Sequence, residues 1–550
     1  MKKYLLLIIL IVAATFRLIG LTMAPPGLNW DEVSIGYNAY SILKTGRDEW
    51  GEFLPLAFKA FGEVKLPGMI YASIPAIALF GETDFGVRAT PAIIGIIGVC
   101  LIYFLGKELF GKKEYGLVSA ALLAISPWGV HFSRVSFEAG LAMVLTMFSV
   151  YCLLRAKEKP SYFWPAMLAA VFALYTYNSV RILLPLLFLS YLVLGIIKIT
   201  KSNTKTLISV IVVGLILVIP SVTNILSKGG QIRWGTVSIT GQKGFFDDVA
   251  ASRGYTSSLP EPLPRIVQNK VTHYIFALAN NYIQTFSSEF LFFKGSTNTQ
   301  RSVQGMGMLY LFELPLLIIG ISQLIGKDKS GKSAALLLLP WLLLAPIPSA
   351  ITTDAPSSVR TLGILPALLL TEALGSMAII KYLRTRSKIF SYLALAFIVW
   401  NISYFGYQLW LVNPVKYADN WLYGQREMMQ FVTKNENNVD SIYITSKYGE
   451  PYIYALFYSG YDPAKYQTET VVRNPDPTGW VHVYSFGKFH FTDFGGLETP
   501  KEILARHKGR IMMIDGFATL PGEYHRDLEI KAPNWIMMFE GTIQNGQNPN

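Results

Sequence analysis

Long apolar runs recur along the first 410 residues of this chain and then stop. Eleven of the runs are long enough to cross a bilayer as helices. They lie at 4–22, 88–106, 115–130, 138–154, 161–177, 181–197, 206–225, 306–325, 333–350, 361–380 and 389–410. The pattern predicts a polytopic α-helical membrane protein with about 11 transmembrane helices in a domain that covers residues 1–410.

After residue 410 the apolar runs become short and alternate with helical or turn segments. Three of them, Ser441–Thr445, Trp480–Tyr484 and Arg510–Ile514, have the length and the β-branched or aromatic content of strands. The pattern predicts that residues 411–550 form a separate, water-exposed α/β domain.

Residues 66–80 are apolar, but they number only 15 and contain Pro67 and Pro75. They are therefore predicted to form a juxtamembrane helix that does not cross the bilayer. With that assignment, 18 Lys and Arg lie in the short segments on the side of the N-terminus, against three in the short opposite loops. The excess places the N-terminus in the cytoplasm. Loops 23–87 and 226–305 and the C-terminal domain are then extracytoplasmic, and the protein is expected in the plasma membrane.

Composition agrees with this topology and narrows the functional classes. The chain is 52% hydrophobic and 15% charged, which excludes an ordinary soluble enzyme. Its net charge is +12, yet residues 411–550 carry −3, so the positive charge belongs to the membrane domain. Bilayer orientation explains that charge, and no nucleic-acid partner is expected. The two cysteines, Cys100 and Cys152, lie in apolar runs and indicate no disulfide.

Two adjacent carboxylates, Asp31 and Glu32, follow the first span directly, at the start of a predicted helix. Carboxylates are costly at a membrane boundary, so a specific role is expected. One interpretation is a helix cap, in which Asp31 accepts backbone N–H bonds. The other is a general base that takes a proton from an acceptor hydroxyl or amide. The two roles are compatible.

Three cations are candidates for binding an anion. Lys65 precedes the juxtamembrane helix and is expected at headgroup depth, with snorkelling toward lipid as the alternative. Arg17 lies inside the first span, where it is costly unless it is paired or near the interface. Arg360 precedes the tenth span, where an interface anchor is the alternative.

The segment just before the fourth span contains His131, Arg134 and Glu138. Arg134 and Glu138 are four residues apart, which allows a plain helical ion pair. The alternative places Glu138 beside Asp31 as a second acid.

Together these motifs closely resemble those of the GT-C glycosyltransferases. Within that class the chain is similar to the dolichyl-phosphate-mannose-protein mannosyltransferase-like group, the bacterial and archaeal relatives of protein O-mannosyltransferases and lipid A aminoarabinose transferases. The resemblance extends over residues 1–410 and is strongest over 25–140. It rests on Trp30-Asp31-Glu32, Gly46-Arg47-Asp48, Lys65 before Pro67, Phe85-Gly-Val-Arg88-Ala-Thr-Pro91, and the segment from Ser126 to Glu138. Relatives often read Lys-Pro-Pro, whereas Leu66 replaces the first proline here.

The resemblance implies a membrane enzyme that moves a sugar from a polyprenyl-phosphate donor to an extracytoplasmic acceptor, with inversion at the anomeric carbon. The acceptor, whether protein, lipid or glycan, stays open. Asp31, Glu32 and Glu138 match the family's acidic catalytic positions. Lys65 matches a donor-phosphate ligand, and Arg17, Arg88 and Arg360 are grouped with it as candidates. A structural anchor is the alternative for Arg88.

Glu63, His131 and His273 are candidates for binding the acceptor or a metal. The spacing of these residues and Glu138 matches no known metal-binding motif. Whether the protein uses a divalent metal therefore stays open, and no other cofactor is expected. The expected partners are the lipid-linked sugar, the acceptor and membrane lipid.

The alternative function is a polytopic transporter or lipid flippase. Such a protein is expected to place ionisable groups near mid-bilayer in broken helices. Here the charged motifs cluster in extracytoplasmic loops instead, which favours the transferase.

Overall fold

The structure is a computed structural model, and its described residues form two compact units. The described residues are 4–61, 63–197, 200, 203–226, 228–241, 244–256, 258–260, 262–326, 329–386, 388–475, 480–494, 496, 498–517 and 520–546. The first unit comprises Met1–Arg17, Ile93–Ser133 and Glu138–Phe405. The second comprises Leu18–Ala92, Arg134–Phe137 and Gly406–Asn550.

Helices dominate the chain up to about residue 416. In chain order the helices are α1 (Leu5–Leu18), α2 (Trp30–Thr45), α3 (Pro67–Phe80), α4 (Asp84–Phe110), α5 (Lys113–Ile125), α6 (Pro127–His131), α7 (Glu138–Arg155), α8 (Phe163–Leu174), α9 (Val180–Val193), α10 (Thr204–Leu226), α11 (Lys228–Val237), α12 (Phe245–Tyr255), α13 (Leu263–Val267), α14 (Lys270–Gln284), α15 (Glu313–Ile325), α16 (Lys329–Leu344), α17 (Ile347–Ala350), α18 (Ser358–Thr361), α19 (Leu365–Leu383), α20 (Lys388–Tyr407), α21 (Asn413–Lys416), α22 (Gln425–Asn435), α23 (Pro451–Tyr458), α24 (Pro463–Thr468) and α25 (Pro500–Arg506).

Apolar helices identify the chain as a membrane protein. Within the described residues, six stretches are long and apolar enough to cross a bilayer: Asp84–Phe110, Glu138–Arg155, Thr204–Leu226, Lys332–Ala350, Ser358–Leu383 and Lys388–Lys416. Every predicted span overlaps a helix. Several of these helices are shorter than a bilayer requires, however, so the number of eleven spans stays a prediction. The segment predicted as juxtamembrane is the 14-residue helix α3.

The second unit contains a seven-stranded sheet among its described residues. The seven strands are β3 (Ser441–Thr445), β4 (Val472–Pro475), β5 (Val481–Phe486), β6 (Phe489–Thr492), β7 (Arg510–Asp515), β8 (Leu528–Lys531) and β9 (Met537–Asn545). Two earlier strands, β1 (Phe58–Ala60) and β2 (Glu63–Lys65), form a separate hairpin. The sheet has the order β4-β5-β6-β3-β7-β9-β8, and the central strand β3 pairs in parallel with β6 and β7. The α/β character predicted for this part of the chain and its three predicted strands are confirmed.

Helix α2 starts and stops at residues suited to those positions. The side chain of Asn29 accepts a bond from the backbone N–H of Glu32 at 3.0 Å, and Glu32 Oε2 accepts from the backbone N–H of Asn29 at 3.3 Å. This reciprocal capping box fixes the start of the helix. Gly46 ends it with a φ of 69°. The cap is therefore Asn29, whereas one interpretation of the sequence gave that role to Asp31.

The N-terminal part of the second unit packs on its C-terminal part through α2 and α23. Residues 451–457 of α23 are all buried. A Cβ atom at Gly36 of α2 would lie only 2.8 Å from the ring of Phe457, so glycine permits this close approach.

A short hairpin places Lys65. Strands β1 and β2 pair antiparallel, with Phe58 opposite Lys65. Lys65 ends β2 two residues before Pro67 opens α3, so the strand and the helix together fix the position of its side chain.

Candidate active site

Asp31 and Lys65 form the polar centre of the second unit's candidate site. Lys65 Nζ lies 2.8 Å from Asp31 Oδ1 and donates to the backbone carbonyl of the same residue at 3.4 Å. The Lys65 side chain is only 4% exposed, whereas that of Asp31 is 38% exposed. The ammonium also lies 4.9 Å from the centroid of the Phe61 ring. A buried cation thus holds a carboxylate that faces solvent.

Glu32 points the other way, into a fully buried pair with Arg88. Arg88 Nε lies 3.0 Å from Glu32 Oε1, and Nη2 lies 2.9 Å from Oε2. The other bonds of this guanidinium go to the carbonyls of Leu21, Pro25 and Gly27, so all five N–H groups are used. No N–H of Arg88 remains for a phosphate, and we interpret Arg88 as a structural anchor.

The bonds of Arg88 and Arg134 fix the segment that connects α1 to α2. Arg134 is fully buried and donates to the carbonyls of Ile19, Gly20 and Ala24. Because these arginines satisfy buried carbonyls, the start of α2 and hence Asp31 is held in place.

Glu49 is a buried carboxyl group close to Lys65 that the sequence analysis did not select. Its Oε1 atom accepts from Trp50 Nε1 at 3.2 Å and from the Tyr452 hydroxyl at 3.4 Å, while Oε2 has no hydrogen-bond partner in the structure. Burial, followed by the charge of Asp48, raises the pKa of Glu49 to about 7, and Lys65 opposes the rise.

Replacing Glu49 with glutamine is expected to change the pH dependence of stability. Because the folded-state pKa is raised, the stabilising contribution of protonated Glu49 is fully present below about pH 4.5 and is lost as pH rises through about 7. The loss is on the order of 3 kcal/mol. Melting temperatures measured from pH 5 to 8 should therefore show Glu49→Gln gaining on the wild type as pH rises. A difference in melting temperature between the two proteins that stays constant from pH 5 to 8 would contradict the raised pKa of Glu49.

The first unit carries a cluster of two arginines on one carboxylate. Arg301 Nη1 lies 2.5 Å from Asp354 Oδ2, and Arg360 Nη1 bonds the other oxygen, Oδ1. Burial acts to raise the pKa of Asp354, but Arg360 and Arg301 lower it to about 2. The described contacts of both guanidiniums with Asp354 use Nη1 alone, and the cluster carries one net positive charge. It can therefore bind an anion.

Arg17, also predicted as a phosphate ligand, is fully buried in the first unit. Its guanidinium donates to the carbonyls of Ala13, Leu123 and Ala124 and to the Ser133 hydroxyl. These bonds explain how a charge inside an apolar helix is tolerated. They suit a structural role better than phosphate binding.

Four further residues were selected from the sequence: His131, His273, Glu138 and Glu63. His131 Nε2 lies 3.1 Å from the carbonyl of Gln300, and His273 Nε2 lies 2.7 Å from Gln268 Oε1. Glu138 is the first residue of α7. Glu63 is a strand residue whose side chain is outside the described part. Among the described side chains no three His, Cys, Asp or Glu gather as a metal site.

Comparisons with known proteins agree with this fold. Residues 67–223 match the family model described as dolichyl-phosphate-mannose-protein mannosyltransferase. The crystal structure of ArnT from Cupriavidus metallidurans bound to undecaprenyl phosphate matches 99% of this chain and 99% of its own, with 11% identity and a TM-score of 0.52. The chain has a GT-C fold.

Two further matches are partial. An uncharacterised protein of Aquifex aeolicus (strain VF5) is 28% identical over 193 residues, which are 34% of this chain and 36% of that protein. The archaeal oligosaccharyltransferase AglB from Archaeoglobus fulgidus, in complex with an inhibitory peptide and a dolichol-phosphate, matches 83% of this chain and 64% of its own, with 14% identity and a TM-score of 0.47. The chain thus spans about a third of the length of the Aquifex protein that it matches.

One carboxyl group inside an apolar helix was not selected from the sequence. Glu372 of α19 is fully buried, and neither of its oxygens has a hydrogen-bond partner in the structure. A single glutamate in an apolar helix was the available signal, because such residues are rare and usually have a function.

Proposed function

We propose that this protein is a membrane glycosyltransferase that moves a sugar from a polyprenyl-phosphate donor to an extracytoplasmic acceptor with inversion. The ion pair between Asp31 and Lys65 is the observation that carries the proposal. A carboxylate that is accessible to an acceptor, yet held 2.8 Å from a buried ammonium, has the fixed position that a general base needs.

The reaction follows from these groups. Asp31 takes the proton of the acceptor hydroxyl or amide, and the freed oxygen or nitrogen forms a bond to the anomeric carbon on the face opposite the phosphate. The bond from that carbon to the phosphate oxygen breaks, and its electron pair leaves on the phosphate. Lys65 uses two N–H groups to hold Asp31, and its third is assigned to the departing phosphate.

Glu32 and Arg88 act in this scheme as positioning residues. Their buried pair fixes the first turn of α2, of which Asp31 is part, and does not contact the substrate.

For the first unit, taken by itself, we propose that Arg301 and Arg360 bind a phosphate group of the lipid-linked substrate. Guanidinium groups form short, charge-assisted bonds to phosphate. Arg360 was selected from the sequence, whereas Arg301 was not.

Arg301→Met and Arg360→Met are each expected to raise the KM for the lipid-linked donor about tenfold, a loss of about 1.4 kcal/mol, with a smaller effect on kcat. Initial rates measured against donor concentration test this. Lys294→Met is the matched control, because Lys294 is 73% exposed and pairs with Glu289 at the surface of the same unit. An unchanged donor KM in both variants would remove the arginines from the donor site.

The orientation of the protein in the membrane is part of the same proposal. The distribution of Lys and Arg between the short loops supports a cytoplasmic N-terminus, loops 23–87 and 226–305 outside, and a plasma-membrane location. The domain boundary near residue 410 and a second acidic role for Glu138 are likewise proposed.

A transporter or flippase is the second candidate, and Glu372 is the observation that favours it. A buried carboxyl group within a span is a common element of proton relays. We expect instead that Glu372→Gln retains full sugar transfer and raises the melting temperature, because an unpartnered carboxylate is costlier to bury than an amide. Proton-coupled flux of a lipid-linked sugar in proteoliposomes that Glu372→Gln abolishes would favour the transporter.

A further inference from the structure

A cleft of about 530 Å³ lies in the second unit, and Trp30, the residue before Asp31 in the chain, is part of its lining. Its lining includes four aromatic residues, Trp30, Trp480, Tyr484 and Phe491. Three polar residues, Ser446, Glu450 and His482, lie among them. The volume is within the range of small-molecule sites, roughly 300–1,000 Å³.

Direct contacts connect this cleft to the proposed base. Lys65, which holds Asp31, lies over the ring of Phe61, and that ring stacks on Trp480 with centroids 6.0 Å apart and planes inclined by 17°. Trp480 Nε1 donates to Glu450 Oε1 at 2.5 Å. The chain of contacts therefore runs from the reacting carboxylate to the polar wall of the cleft.

Trp30 reaches the cleft because residue 449 is glycine. A Cβ atom at Gly449 would lie 2.4 Å from the indole of Trp30, and its φ of +98° is also unfavourable for other residues. Trp30 immediately precedes Asp31 in the chain, so the cleft reaches the first turn of α2, which also carries the proposed base.

The polar wall consists mainly of Glu450 and His482. The carboxylate of Glu450 is 6% exposed, and its Oε1 atom lies 3.1 Å from Nδ1 of His482, which is 40% exposed. A carboxylate in this position accepts charge-assisted bonds from hydroxyl groups. The aromatic faces provide apolar surface with a negative potential on which C–H bonds can pack.

We propose that this cleft is a saccharide subsite that binds one pyranose ring beside Asp31. A pyranose has an apolar C–H face and a ring of hydroxyl groups, and the cleft offers a matching surface for each. An apolar peptide side chain fits less well, because it has no polar group to match Glu450 and the 40% exposed imidazole of His482. A phosphate would be repelled by the same carboxylate.

The inference rests on the proposed function, since it takes the sugar to be part of a glycosyl-transfer substrate. The pyranose could belong to the donor or to a glycan acceptor, and both have the same chemistry. If substitutions in the cleft change only the KM for the donor, the pyranose belongs to the donor. If they change only the KM for the acceptor, it belongs to a glycan acceptor.

The test is direct binding without donor. The full-length protein is placed in lipid nanodiscs, which avoids detergents with sugar headgroups, and the probes are the methyl glycosides of mannose, glucose and galactose. Saturation-transfer NMR should detect saturable contact with pyranose C–H groups. His482→Ala and Tyr484→Ala should each weaken this binding at least tenfold.

Two matched controls lie in the same unit, outside the cleft. His525→Ala and Trp535→Ala replace residues that are 82% and 84% exposed, and both should bind the glycosides as the wild type does. Asp31→Asn should also bind the glycosides, so this variant can lose sugar transfer while glycoside binding is still measured.

Three results would overturn the saccharide subsite. The first is no contact with any of the three glycosides, and the second is undiminished binding in both cleft variants. The third is binding of a lysine-containing peptide, in place of the glycosides, that depends on the same two residues. Sugar transfer that continues at the normal rate in Asp31→Asn would contradict the proposed function and leave the cleft result unaffected.

Discussion

Asp31→Asn is expected to reduce sugar transfer by about 10²- to 10⁴-fold, the contribution typical of a general base. The amide keeps the size of the side chain and retains an oxygen that can accept a bond from Lys65, but it cannot take the acceptor proton. Release of polyprenyl phosphate from a polyprenyl-phosphate-linked sugar, measured with extracytoplasmic extract as the source of acceptor, reports the loss.

The control for this variant is Glu52→Gln, which removes an exposed carboxylate that pairs with Lys59 at 3.4 Å in the same unit. It should keep the wild-type rate. Glu52→Gln should melt within a few degrees of the wild type, because both members of its pair are 59% exposed. Asp31→Asn should melt lower, because it removes the carboxylate that pairs with the buried ammonium of Lys65. If Asp31→Asn folds and transfers sugar at the normal rate, Asp31 is not the base.

Arg88→Met is expected to lower the free energy of unfolding by about 3–5 kcal/mol, because it leaves the carboxylate of Glu32 buried without its partner. It also leaves the carbonyls of Leu21, Pro25 and Gly27 without donors. The melting temperature in a single membrane mimetic measures the effect. Transfer activity should fall too, because the first turn of α2 carries Asp31.

Two further variants distinguish the effect of an unpaired buried carboxylate from the general effect of removing an arginine. Arg506→Met removes a surface arginine that is 57% exposed and pairs with Glu498, and it should cost no more than about 1 kcal/mol. The double variant Glu32→Gln/Arg88→Met should recover part of the stability, because no unpaired charge then remains buried. Equal melting temperatures for Arg88→Met and Arg506→Met would contradict the buried-pair mechanism.

Local patterns were sufficient for much of the fold. Apolar runs predicted the helices, and short β-rich runs predicted strands β3, β5 and β7, because hydrophobic periodicity reflects which faces are buried. The start of α2 was also readable, although Asn29 rather than Asp31 caps it. The number of spans was harder to predict, because helices such as α5 and α9 are shorter than the apolar runs from which they were predicted.

The sequence by itself determined that this is a membrane protein with a C-terminal α/β part, and it selected Asp31 and Lys65. Only the tertiary structure decided that these two residues form an ion pair and that Glu32 is buried against Arg88. It also decided that Trp480 and His482 share a cleft with Trp30, more than 400 residues away. The reason is physical: composition and periodicity are local properties, whereas pairing between distant side chains depends on how the elements pack.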